Sequence, residues 1–127
     1  MNLGLIKTMT AGGAINPNTQ VKFSADDTVV AAAAATDAII GVYVGPGAAA
    51  SGDRIDIQLT GVAKLKMGGT VARGAPVTAD AAAKGVAPAP AAGVNNRILG
   101  FAMRTTADGD LADVLIALGY DQGAGLA

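Results

Sequence analysis

Ile39-Ile40-Gly41-Val42-Tyr43-Val44, then a connection carrying Ser51-Gly52-Asp53, then Ile55-Asp56-Ile57-Gln58-Leu59 ahead of Gly61, decides the fold because the chain repeats it. Near the C-terminus the same order returns as Ile98-Leu99-Gly100-Phe101-Ala102-Met103, Asp108-Gly109-Asp110, and Val114-Leu115-Ile116-Ala117-Leu118 ahead of Gly119. Each copy is an apolar strand interrupted by glycine, a Gly-Asp turn and a second strand closed by another glycine. That order describes a strand pair built twice.

Outward from the repeat, the rest of the chain also reads as strands and turns. Residues 19–23 (Thr-Gln-Val-Lys-Phe) alternate with period two, Asp26-Asp27 supplies a turn, and Thr28-Val29-Val30 follows. The alanine run 31–35 has helix-forming composition but is too short to hold a helix alone, so strand or extended loop is expected there. Val62-Ala63-Lys64-Leu65-Lys66-Met67 alternates with both lysines on one face, a strand with one wet side. Thr70-Val71-Ala72 is expected as a short strand, and Pro76 marks the start or edge of another. Asp80 to Gly85 reads as a turn into Val86, and residues 87–96 as a surface loop rich in Pro, Ala and Gly. The expected architecture is all-β, a small barrel or sandwich of about eight to ten short strands with an extended N-terminal segment. Residues 1–18 are expected as an N-terminal arm or edge strand, 19–120 as the β domain and 121–127 as a C-terminal tail.

Composition agrees and narrows the chemistry. The 127 residues suit one domain, yet there is no Trp, only two Phe and two Tyr, and much of the apolar content is alanine. Full burial of a Leu, Ile, Val or Phe contributes about 1.5–3 kcal/mol and an alanine methyl well under that, so a monomer has a thin margin. Association with copies of itself or a larger body would add burial. All ten acidic residues are Asp, which suits turns, whereas Glu is chiefly a helix-surface residue. Nine basic residues are scattered, the net charge is -1, and no basic block exists to neutralise phosphates, so nucleic acid is not an expected partner. No stretch approaches the ~18 unbroken apolar residues of a membrane span. The N-terminus lacks the charged leader and long apolar run of a signal peptide, so a soluble chain that stays where it is made is expected.

Without His or Cys, the commonest general base and the strongest metal ligands are missing. Ser24 and Ser51 are the only serines, and neither sits in a Gly-x-Ser-x-Gly elbow. Asp26 with Asp27, or Asp108 with Asp110, reads as solvated turn carboxylates rather than a catalytic pair. Calcium at Asp108, Asp110 and Asp113 would lack the twelve-residue loop pattern with its terminal Glu. Gly45-Pro46-Gly47 and Gly68-Gly69 lack the Lys-Ser/Thr step of a phosphate loop. No enzyme, cofactor or metal is expected. Leu3, Leu5 and Ile6 are either a docking arm or an N-terminal strand tucked into the domain.

The run Gly61-Val62-Ala63-Lys64-Leu65-Lys66-Met67-Gly68-Gly69-Thr70-Val71-Ala72-Arg73-Gly74-Ala75-Pro76-Val77-Thr78-Ala79-Asp80 is where the sequence becomes specific. Together with Asn96-Arg97-Ile98-Leu99-Gly100-Phe101-Ala102-Met103 and the final apolar strand, it resembles the small capsid cement, or head decoration, proteins of tailed bacteriophages. The likeness runs over roughly residues 28–119. It implies an all-β subunit that assembles, typically as a homotrimer, on the outer surface of the expanded capsid at three-fold and quasi-three-fold positions. The implied partners are the major capsid protein and the chain itself, with Leu3, Leu5 and Ile6 as the candidate docking arm. The alternative is a non-enzymatic β-barrel binding module for surface glycans or another receptor, although Phe23, Tyr43, Phe101 and Tyr120 are too scattered for an obvious sugar platform.

Overall fold

The computed structural model describes residues 4–122. Ten strands run in chain order: β1 (Ile6–Ala11), β2 (Thr19–Ala25), β3 (Thr28–Ala31), β4 (Ile39–Tyr43), β5 (Arg54–Gln58), β6 (Val62–Lys66), β7 (Pro76–Ala79), β8 (Gly85–Val86), β9 (Asn95–Ala102) and β10 (Leu111–Gln122). No helix occurs among the described residues, and the all-β expectation holds.

The first five strands close a barrel in the order β1-β3-β2-β4-β5. β1 completes it, lying antiparallel to β5 from Ile6 opposite Gln58 to Thr10 opposite Arg54, and parallel to β3 at Thr10 and Thr28. The other five form a sheet in the order β6-β10-β9-β7-β8. Its two edges meet, because Met67, one residue past β6, bridges in parallel to Gly85 of β8, and Gly68 N donates to Gly85 O at 2.8 Å. The chain is thus a closed barrel beside a sheet curled on itself, each with its own core. Met9, Ile15, Val21, Val29, Ile55 and Ile57 fill the first. Leu65, Met67, Val71, Val77, Leu99 and Val114 fill the second, along with several alanines.

The duplicated strand pair appears once in each half. β4 pairs with β5 in the barrel and β9 with β10 in the curled sheet, both antiparallel. The interrupting glycines share one cause. A Cβ at Gly41 would overlap the Gln58 carbonyl, and a Cβ at Gly100 would overlap the Leu115 carbonyl. In each copy the second strand passes so close to the first that only hydrogen fits.

β4 joins the halves. Ile39 and Val42 belong to the second core although β4 is a stave of the barrel, while Tyr43 belongs to the first. Burial on both sides explains why 39–44 reads as an unbroken apolar run rather than an alternating one. Polar ties reinforce the join: Gln20 N donates to Ala83 O at 3.0 Å, Gln20 Nε2 to Thr78 O at 3.0 Å, Lys66 N to Asn18 O at 2.8 Å and Arg97 N to Ala35 O at 2.7 Å.

Two local outcomes differ from alternation alone. Thr70-Val71-Ala72 forms no strand; Val71 N donates to Thr106 Oγ1 at 3.1 Å and Val71 O accepts from Thr106 N at 3.0 Å, so one threonine takes the place of a strand partner. β10 continues through Gln122, with Tyr120 opposite Arg97 and Gln122 opposite Asn95, so pairing runs into the segment read as a tail.

The alanine run after β3 leaves the strand and ends in a turn, where Asp37 N donates to Ala34 O at 3.2 Å and the Asp37 side chain fastens the connection. Its Oδ2 accepts from Lys22 Nζ at 2.8 Å, Ala33 N at 2.7 Å and Ala34 N at 3.1 Å. Partial burial alone would raise the carboxyl, but the hydrogen bonds from Lys22 and the two amides outweigh it and hold it below its ordinary value of 3.8. A carboxylate depressed on folding stabilises the fold above its unfolded pKa, and that contribution is lost as pH falls below about 3.8 through the lowered folded value. Asp37→Ala is expected to cost about 2 kcal/mol at neutral pH and to flatten the acid limb of stability below pH 4. Urea denaturation at several pH values reads both; an acid limb unchanged in the variant contradicts the assignment.

Candidate assembly surface

Alternation along β6, β9 and β10 sends one set of side chains into the second core and the other outward. Ala63, Val114 and Ala102 lie opposite one another across three strands, all buried. The neighbouring row faces out: Val62 opposite Leu115, Leu115 opposite Phe101, Phe101 opposite Pro76. Paired residues of antiparallel strands share a face, so this is an apolar stripe across four strands. Met103 lies beside it, since its N–H donates to Asp113 O at 3.1 Å, and Leu111 lies opposite Lys66.

Exposure makes the stripe notable. Phe101 is 39%, Leu115 43%, Leu111 46% and Met103 50% exposed, four large apolar side chains on one outer face. The total accessible surface of 6223 Å² is close to the roughly 6100 Å² of a compact monomer of this mass. The alanine-rich core therefore leaves the chain compact, and the case for association rests on where the large apolar side chains lie. The row from Val62 to Pro76 is divided from Leu111 by the Asp113–Lys64 pair on the same face, and large apolar side chains gathered on one outer face are what an interaction surface presents.

Charge surrounds the stripe. Lys64 Nζ pairs with Asp113 Oδ1 at 2.8 Å; both are about half exposed, so the pair contributes little to stability and more to orientation. Arg104 reaches Asp110 at 4.0 Å and donates from Nη2 to Leu111 O at 3.5 Å. Lys66 has no acidic partner within 4 Å among the described residues. The wet side expected of β6 thus holds lysines that border a dry patch contributed by β9 and β10.

The residues weighed for chemistry are scattered in structural duties. Asp110 Oδ2 accepts from Ala107 N at 2.9 Å and fastens its turn, Asp113 is paired with Lys64, and Asp108 is exposed. Among the described residues, no three acidic side chains gather where they could hold a metal ion. Asp27, with a φ of 55° in its turn, bonds to Arg54 Nη1 at 2.9 Å, and that hydrogen bond holds its carboxyl below the ordinary value. Ser24 and Ser51 are exposed. Leu5 is fixed by its backbone, donating to Thr60 Oγ1 at 2.7 Å and accepting from Leu59 N at 2.8 Å, while its side chain is 62% exposed. Ile6 opens β1 and is exposed too; Leu3 lies outside the described residues.

Two further features lie away from the stripe. Beyond a bulge between Ile116 and Gly119, a cleft of about 240 Å³ opens where β4 meets β9 and β10, lined by Ile39, Ile40, Ile98 and Leu118. There the Arg97 guanidinium lies 4.5 Å from the centre of the Tyr120 ring. At the β2–β3 turn a shallow, open groove of about 530 Å³ is lined by Phe23, Ser24, Ala25, Asp26 and Asp27.

The sequence matches no protein-family model and no curated protein. The structure is similar to the crystal structure of the head fiber gp8.5 N base of bacteriophage phi29, with a TM-score of 0.65 and 18% identity over 92% of this chain and 95% of that one. At that identity the likeness is one of fold, and it extends over both halves of the molecule.

Proposed function

We propose that this chain is a structural, non-enzymatic virion protein that binds the outside of the expanded bacteriophage head as a homotrimer and stabilises the shell. The observation that carries this reading is the near full-length likeness of this chain's barrel and sheet to a head fiber base. The exposed apolar stripe adds a surface suited to assembly. The major capsid protein is the partner, and the exposed Leu5 and Ile6, with Leu3 ahead of them, make the contact.

The mechanism is linkage. A trimer that straddles neighbouring capsid subunits joins three weak contacts in one rigid body, so its avidity exceeds any single contact. A clamp that binds only the expanded lattice stabilises that lattice, by about 2.7 kcal/mol per site at a free concentration a hundred times Kd. Heads carrying this protein are therefore expected to rupture at a higher temperature than bare heads. Equal rupture temperatures, or failure to sediment with heads, contradict the reading.

A second reading rests on the cleft beside Tyr120, where an aromatic ring, an arginine and apolar walls resemble the make-up of a small-ligand site. A glycan array tests it: specific binding lost in Tyr120→Ala supports a receptor-binding module.

A further inference from the structure

Charge is divided between the two halves of the molecule. Residues 1–58 hold three cations against five Asp, whereas residues 59–127 hold six cations against five Asp. The division is sharper at two exposed apolar spots. On the curled sheet, Leu111 sits between Lys66, opposite it on β6, and Arg104, whose guanidinium reaches the Leu111 carbonyl. On the barrel, Phe23 is 54% exposed beside the Asp26-Asp27 turn and its groove. Asp53 adds to that end of the barrel, because Thr10 N donates to Asp27 O at 2.9 Å and the next residue, Ala11, donates to Asp53 O at 2.8 Å. The border of the sheet face is basic on balance, with Lys64, Lys66 and Arg104 against Asp110 and Asp113, and that of the barrel corner acidic on balance, with Asp26, Asp27 and Asp53 against Arg54 and Lys7.

We propose that these two faces bind each other between copies of this chain: the outer sheet face of one copy, through Phe101, Leu111, Leu115 and Lys66, seats on the Phe23–Asp27 corner of the next. The inference deepens the trimer reading given above and rests on it for the number of copies. A closed ring of odd number requires a contact between two different patches, because a patch that binds itself closes only pairs. This chain has two such patches, unlike in position and opposite in charge, and complementary charge fixes which meets which. Strand addition at the β6 edge is obstructed, since Lys66 N donates to Asn18 O, Lys64 O accepts from Asn18 Nδ2, and Met67 bridges to Gly85 of β8.

The test uses one change on each face, Leu115→Glu and Phe23→Glu, both at exposed side chains, with circular dichroism to establish folding and sedimentation velocity to read mass. Lys66→Asp and Asp26→Lys serve as milder substitutes where a glutamate disturbs the fold. The wild-type chain is expected at three times the mass of one chain, and each variant alone at the mass of one. Mixed in equal amounts, the two variants are expected to form a species of two chains, because each keeps the face the other lacks. Leu115→Glu that still assembles, or Phe23→Glu that assembles while Leu115→Glu does not, overturns the inference, the latter because the sheet face then binds itself. Sedimentation with heads separates this from the functional reading. A wild-type chain that is single in solution yet binds heads overturns the ring contact and leaves head binding standing; a ring that ignores heads does the reverse.

Discussion

Gly100→Ala is expected to destabilise the protein by about 3 kcal/mol, the upper end of what inserting a single carbon into a packed site costs. The added Cβ meets the Leu115 carbonyl oxygen, with the Leu115 carbonyl carbon and the Ala117 amide nitrogen less than 3 Å away. All three are backbone atoms, so no rotamer change relieves the overlap. β10 would have to move off β9, separating Leu115 from Phe101 and Ile116 from Gly100 in the ladder. Gly119 in the same strand pair provides the control: a Cβ there meets nothing within 4 Å. Its φ is not in the left-handed region, so Gly119→Ala is expected to be neutral or to stabilise by about 0.5 kcal/mol through the unfolded state. Guanidinium denaturation of both variants reads the difference. Equal midpoints would mean that close approach is not why each strand pair carries its glycine.

Leu99→Ala is expected to cost about 3–5 kcal/mol, from lost transfer free energy and the cavity left behind. Leu99 is fully buried in a core whose other members include Ala63, Ala79, Ala83, Ala102 and Ala112. Short side chains cannot reach into the space, so the site collapses poorly and the cavity persists. Against a total of about 5–15 kcal/mol for an ordinary domain, such a loss removes a large share of the stability. Because β4 contributes to both cores, both halves are expected to melt together in one transition at lower temperature. A variant that melts within a degree or two of wild type contradicts the view that a few large side chains hold the alanine-rich half.

The glycine-interrupted strand pairs, the Asp-rich turns and the lysine alternation of β6 were all visible in the amino-acid order, because each is set by neighbours a few residues apart. Closure was not. β1 pairs with β5 about 50 residues away and, in parallel, with the nearer β3, and Met67 bridges to Gly85 between the edges of the second sheet. Period two tells which face a residue takes and is silent on which strand lies beside it. The same limit hid the assembly surface. Phe101, Leu111 and Leu115 are of types usually found inside, yet that rule runs one way only. Their signal was parity: 111, 113 and 115 alternate with the buried 112, 114 and 116, and Asp113 among them marks that side as the outer one. Val71 shows the opposite case, a residue buried as a strand would bury it but held by Thr106.

Electron cryomicroscopy of bacteriophage heads incubated with the protein is the sharpest test of the proposal that it acts through its outer surfaces in an assembled particle. Three copies of the two-part β fold are expected around each occupied three-fold or quasi-three-fold position on the outer surface of the head. Density for the fold as isolated single copies, or its absence from the head surface, would contradict the proposal.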